Sequence, residues 1–117
     1  MATLEKHAVD RTVMMLDRLR DIFPSDAEIA RAVEVDPAQL SRWRRGQEPA
    51  DPAWDRLVDL FAVVQKLEGY YTPARIRAWL GGVNAHLGDR SPLYLIRHGG
   101  SGTVLNAIHA LKAGAYA

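Results

Sequence analysis

The stretch from Ser25 to Gly46, SDAEIARAVEVDPAQLSRWRRG, constrains the fold more than any other part of this chain. Ser25 can cap a helix whose residues Ile29, Ala30 and Val33 recur at the spacing of one helical face. Val35 follows as the plug of a tight turn. Asp36 then caps a second helix, and Pro37 takes its first position, where the missing N–H costs nothing. Leu40 and Trp43 point inward from that helix, three residues apart, and leave Gln39, Arg42 and Arg45 on its outer face. Gly46 closes it as a C-terminal glycine. Ala30 is small where two steeply crossing helices need to come close. The pattern predicts a helix-turn-helix.

These residues resemble the Xre/Cro-like repressor family, in which the second helix enters the major groove of DNA. The resemblance implies DNA contacts from Gln39, Ser41, Arg42 and Arg45. Arg42 and Arg45 lie one turn apart, suited to base edges or phosphates, whereas Arg44 is expected to project sideways. A solvated basic surface is the alternative reading of the same arginines. Two positions depart from the family pattern. Pro37 stands where relatives often carry a base-reading glutamine, which removes one contact. Glu34 stands where the turn usually carries glycine, which implies strain if that residue needs positive φ.

At 117 residues the chain makes one domain, or two small ones sharing a core. With 48% apolar residues it has enough for a packed globule and too many for a disordered chain. No run approaches the roughly twenty apolar residues of a membrane span. The start MATLEKHAVDR lacks the apolar core of a signal peptide, and cysteine is absent, so a cytoplasmic location is expected. The net charge of +1 hides an uneven distribution. Residues 1–38 hold five basic and eight acidic side chains, and residues 39–69 balance. Residues 70–117 hold five basic side chains against the single acid Asp89. The basic end lies away from the reading helix, where a dedicated DNA-binding protein usually concentrates its charge.

Elsewhere the punctuation is also helical. Residues 4–23 predict a first helix with Ala8, Met15, Leu16, Leu19, Ile22 and Phe23 on one face, ended by Phe23-Pro24. Pro52 opens a helix to about Glu68, carrying Trp54, Leu57, Val58, Leu60, Phe61, Val64 and Leu67 and stopped by Gly69. Thr72-Pro73 starts a short helix through Ile76, Trp79 and Leu80, with Trp79 and Leu80 as a core anchor. Asn84, Leu87 and Gly88 form a compact loop. Ser91-Pro92 starts another helix with Leu93, Leu95 and Ile96, broken at His98-Gly99-Gly100. A last helix from about Gly102 uses Val104, Leu105, Ile108 and Leu111 and stops at Gly114. Strand patterns are missing, so the expected class is all-α: a helix-turn-helix bundle over 1–69 and a small helical module over 70–117.

Catalytic and metal chemistry find little purchase. His7, His86, His98 and His109 are scattered, none paired at i, i+4 with another ligand, so neither metal nor cofactor is expected. GGSG at 99–102 lacks the strand, lysine and spacing of a phosphate loop and reads as a helix connector. The chain is not expected to be an enzyme.

From Arg77 onward the residues Ala78-Trp79-Leu80, Asn84, Leu87-Gly88, Pro92-Leu93, Ile96 and Gly99 appear in order. An apolar helix around Val104 and Leu105 and the ending Gly114-Ala115-Tyr116-Ala117 follow. This module resembles the toxin-binding domain of the Xre/MbcA/ParS-type antitoxins, although Val83 stands where that family often has proline. The resemblance implies a type II antitoxin with a RES or related ADP-ribosyltransferase-like, NAD-consuming toxin as partner. It implies that the C-terminal segment, Leu111 to Ala117, covers the toxin's active-site cleft, and that the helix-turn-helix binds operator DNA. Expected toxin-binding residues are Trp79, Asn84, Arg90, Arg97, Lys112, Gly114, Tyr116 and Ala117. A homodimer or a hetero-oligomer with toxin is the expected assembly. The competing readings are a stand-alone repressor, with the C-terminal half as a dimerisation module, and an adaptor that has lost DNA binding.

Overall fold

A computed structural model describes the backbone of residues 2–114 and the side chains of residues 11–114. Tyr116 and Ala117, together with the side chains of His7 and Ala8, lie outside the described residues. Seven α-helices follow one another: α1 Ala2–Leu19, α2 Asp26–Ala32, α3 Pro37–Arg44, α4 Ala53–Leu67, α5 Pro73–Gly81, α6 Pro92–Arg97 and α7 Ser101–Gly114. One 3₁₀ turn, Ala85–Leu87, sits between α5 and α6. Among the described residues the only strand-like pairings are two isolated bridges, so the all-α class holds. No described helix is long and apolar enough to cross a membrane.

Local chemistry sets the helix starts. The Ser25 side chain accepts from the Glu28 N–H, Asp36 from Ala38, Thr72 from Arg75 and Ser91 from Tyr94. Each bond satisfies one of the donors that the first turn of a helix leaves unpaired, worth about 1 kcal/mol. Pro37, Pro73 and Pro92 occupy first-turn positions, as their fixed φ favours.

Two compact units divide the chain, Met1–Val58 and Asp59–Ala117, and the division falls inside α4. In the first unit α1, α2 and α3 pack against one another. Their core holds Leu16, Leu19, Ile29, Ala30, Leu40 and Trp43, all buried. The first helix ends at Leu19, four residues before the expected Phe23. Arg20 to Phe23 form a turn instead, closed by the Ile22 and Phe23 N–H groups on the Leu19 carbonyl, and Ile22 and Phe23 remain buried within it. In the second unit α5 packs on α6 and α6 on α7, over Ile76, Leu80, Ile96, Val104 and Ile108. Met15 is buried, whereas Met14 is 43% exposed.

The turn between α2 and α3 explains the helix-turn-helix bend. The Val35 N–H reaches the Ala30 carbonyl at 2.9 Å, and the Glu34 N–H reaches Arg31 at 3.2 Å. That pair of bonds needs a left-handed residue between them, and Glu34 supplies it at φ 58°. The strain foreseen at this position is therefore present. Arg56, from the start of α4, donates to the Val33 carbonyl at 2.7 Å and so caps the same helix end with a cation.

Between α6 and α7 two glycines have separate reasons. Gly99 sits at φ 79°, left-handed and ending α6. Gly100 passes so close to Leu95 that a Cβ would lie 3.2 Å from its side chain and carbonyl. GGSG is a tight corner between helices.

Candidate functional site

In the first unit the site grows out of α3. Leu40 and Trp43 anchor its inner side, and Trp43 Nε1 finds no partner among the described residues. Burying Leu40 and Trp43 leaves the other side to Gln39, Ser41, Arg42 and Arg45. The structure brings these four together in pairs. Arg42 Nη2 donates to Gln39 Oε1 at 2.6 Å, and Arg45 Nη1 donates to Ser41 Oγ at 3.3 Å. Ser41, Arg42 and Arg45 are exposed.

Arg44 leaves this face, as the sequence leads one to expect, and meets acids of the neighbouring helices. Its Nη2 donates to Asp26 Oδ1 on α2 at 2.9 Å, and its Nη1 to Asp17 Oδ1 on α1 at 2.8 Å. The hydrogen bond with Asp26, above all, raises the Arg44 pKa from its ordinary value, against the opposing effect of burial. One guanidinium thus ties α3 to both α1 and α2. The separations of 18 and 27 residues leave no periodic trace in sequence.

In the second unit the expected partner-binding residues are spread over several features. Trp79 is only partly buried, contrary to its expected role as a core anchor. Ile76 and Leu80, one turn apart, form the buried pair of α5, and Trp79 lies about 100° round the helix from Leu80. It borders a shallow hollow of about 300 Å³ with Tyr71, Arg75 and Ala78, where the Arg75 guanidinium lies 4.6 Å over the Tyr71 ring.

Asn84 holds its own loop. Its side chain accepts from the His86 N–H at 2.9 Å, its N–H donates to Arg90, and its carbonyl accepts from Leu87 and Asp89. Gly88 follows at φ 66°, so the freedom it supplies is conformational. Arg90, just before α6, begins a column along it: its guanidinium lies 4.9 Å over Tyr94, whose ring stacks on His98 at 4.2 Å. His98 Nδ1 is 2.7 Å from the Tyr94 carbonyl, which only accepts, so this nitrogen carries the hydrogen. The sequence reading does not pair Tyr94 with His98, although a spacing of four residues is that of one helical face.

Lys112, on α7, lies 5.8 Å over the Tyr70 ring and lines a groove of about 480 Å³ with Lys66, Leu105, Asn106, Ile108 and His109. Gly114 borders a second hollow, of about 370 Å³, with Tyr70, His86, Ala110 and Leu111. Arg97 is half-buried on α6. The unit is a basic surface carrying aromatic rings. Among the described residues no group of histidine, aspartate and glutamate could hold a metal ion.

No protein-family model matches the sequence, and no curated protein matches it significantly. Among solved structures, the chain is similar to a chain in the crystal structure of the M. tuberculosis MbcT–MbcA toxin–antitoxin complex. The two are 25% identical and superpose with a TM-score of 0.76, over 88% of this chain and 94% of that one. The match bears out, at the level of the whole fold, the resemblance of this chain to the MbcA-type antitoxins.

Proposed function

We propose that the chain is the antitoxin of a type II toxin–antitoxin pair. It neutralises a RES/ADP-ribosyltransferase-like, NAD-consuming toxin by laying its C-terminal segment over the active site, and it represses its own operon through α3. The observation that carries this reading is the fold match over nearly the whole of both chains to a member of a toxin–antitoxin complex. Residues 1–69 serve DNA and residues 70–117 serve the toxin. The chain itself performs no catalysis, needs no cofactor, and acts in the cytoplasm as a homodimer or as a hetero-oligomer with toxin.

The physical rationale for occlusion is charge. A cleft built for a dinucleotide pyrophosphate is lined with groups that favour anions. Tyr116 suits that cleft as an aromatic ring carrying a hydroxyl, while Arg90, Arg97 and Lys112 suit acidic toxin surface at its rim, where they set mainly the association rate. Gly114 is the last described residue of α7, and Lys112 lies within that helix against Tyr70. A truncation that spares the helix therefore begins after Gly114.

The test is co-expression with the reading frame adjacent to this one, read as colony growth and cellular NAD⁺. The full chain is expected to restore both. The chain lacking residues 115–117 is expected to keep its helical circular-dichroism spectrum and to lose protection. Full protection by the truncated chain overturns occlusion by the C-terminal segment. No protection by the full chain overturns the antitoxin reading.

A further inference from the structure

We infer that α3 selects guanine over adenine at the bases it contacts, because its outer face presents hydrogen-bond donors and leaves its side-chain acceptors engaged. The inference rests on the proposal that α3 enters the major groove. A guanidinium carries five N–H donors and no acceptor. Arg42 can meet Gln39 only through the amide oxygen, and it does so at 2.6 Å. The amide NH₂ takes no part in that bond and keeps both its donors.

A glutamine that reads adenine uses both ends of its amide: the oxygen accepts from N6 and the nitrogen donates to N7. Here a cation one helical turn away occupies one of the two lone pairs of that oxygen, and Gln39 is left with two N–H donors against one remaining acceptor site. The second pair behaves alike. Ser41 Oγ accepts from Arg45 Nη1 at 3.3 Å and keeps its own hydrogen to donate. No aspartate or glutamate lies within Pro37–Arg44. Asp36, at the cap, accepts from the Ala38 N–H, and Arg44 is engaged by Asp26 and Asp17.

Guanine is the base whose major-groove edge offers two acceptors, N7 and O6, side by side. Arg42 keeps N–H groups free for that edge after its bond to Gln39. Gln39 is then a positioning residue: by holding the guanidinium before DNA arrives, it removes part of the ordering penalty of binding.

The experiment presents the full-length chain with duplexes carrying a randomised central window and sequences the retained fraction. The best duplex is then titrated by fluorescence anisotropy, with each contacted guanine replaced in turn by adenine and by 7-deazaguanine, which lacks the N7 acceptor. Guanine is expected to be enriched, and each replacement is expected to weaken binding roughly tenfold. Gln39→Ala, with an unchanged circular-dichroism spectrum, is expected to narrow the guanine preference to about twofold. Adenine at the contacted positions, or indifference to the base, overturns this inference and leaves α3 a DNA-binding helix. Retention of no duplex at low salt overturns the DNA reading itself, and the inference with it.

Discussion

Glu34 and Arg44 show how single side chains shape the first unit in opposite ways. Glu34 holds a left-handed conformation, φ 58°, that L side chains adopt at a penalty of about 1 kcal/mol. The bonds that demand it come from the backbone, so they survive a change of side chain. Glu34→Gly is therefore expected to stabilise the protein by about 0.5–1 kcal/mol, read as a higher midpoint in urea at unchanged slope. Arg44 stabilises instead. With side-chain exposures of 26% for Arg44, 34% for Asp26 and 64% for Asp17, the cluster is partly shielded from solvent. Arg44→Ala is expected to lower stability by about 1–2 kcal/mol in the same measurement. Because its folded-state pKa is raised, the Arg44 contribution is complete across neutral pH and, on the basic side, fades only in strong alkali. A loss of stability between pH 6 and 8 that depends on Arg44 would contradict this assignment.

At the scale of elements, corners matter as much as helices. Gly100 lets the start of α7 lie against Leu95, whose carbonyl also takes the Gly100 N–H at 2.6 Å. That bond keeps the carbonyl from moving aside for a methyl group. Gly100→Ala is expected to cost about 1–2 kcal/mol by thermal unfolding, whereas Gly102→Ala, with nothing within 4 Å, is expected to be neutral or better. What was legible in sequence follows the same division. Caps at Ser25, Asp36, Thr72 and Ser91 act over two or three residues, so their chemistry is visible in the order of residues alone. The Arg44 cluster and the Arg56 bond to Val33 join residues 18 to 27 apart, and only folding brings them together. Trp79 misled for another reason. The nine-residue α5 buries a narrow stripe, Ile76 and Leu80 fill it, and a large aromatic at the next turn edge stays at the surface. On α3 the outward set of Gln39, Ser41, Arg42 and Arg45 could be read from the inward pair, but their mutual hydrogen bonds could not.

At the scale of the whole molecule, the chain joins a helix-turn-helix unit to a basic helical unit with no linker between them. The division at Val58 and Asp59 falls within α4. The buried Leu57 falls in the first unit, and the buried Leu60, Val63, Val64 and Leu67 fall in the second. The proposed division of labour at residue 69 therefore follows the end of a helix, and the division of packing follows its middle. This shared helix has a consequence for inheritance. A recombination event that tried to graft a new second unit onto this first one would have to break the gene inside the codons for α4. The hybrid would then have to reconcile two cores on one helix. Gene exchange between such chains is expected to move both halves as a single block, so that whatever each half binds changes hands together.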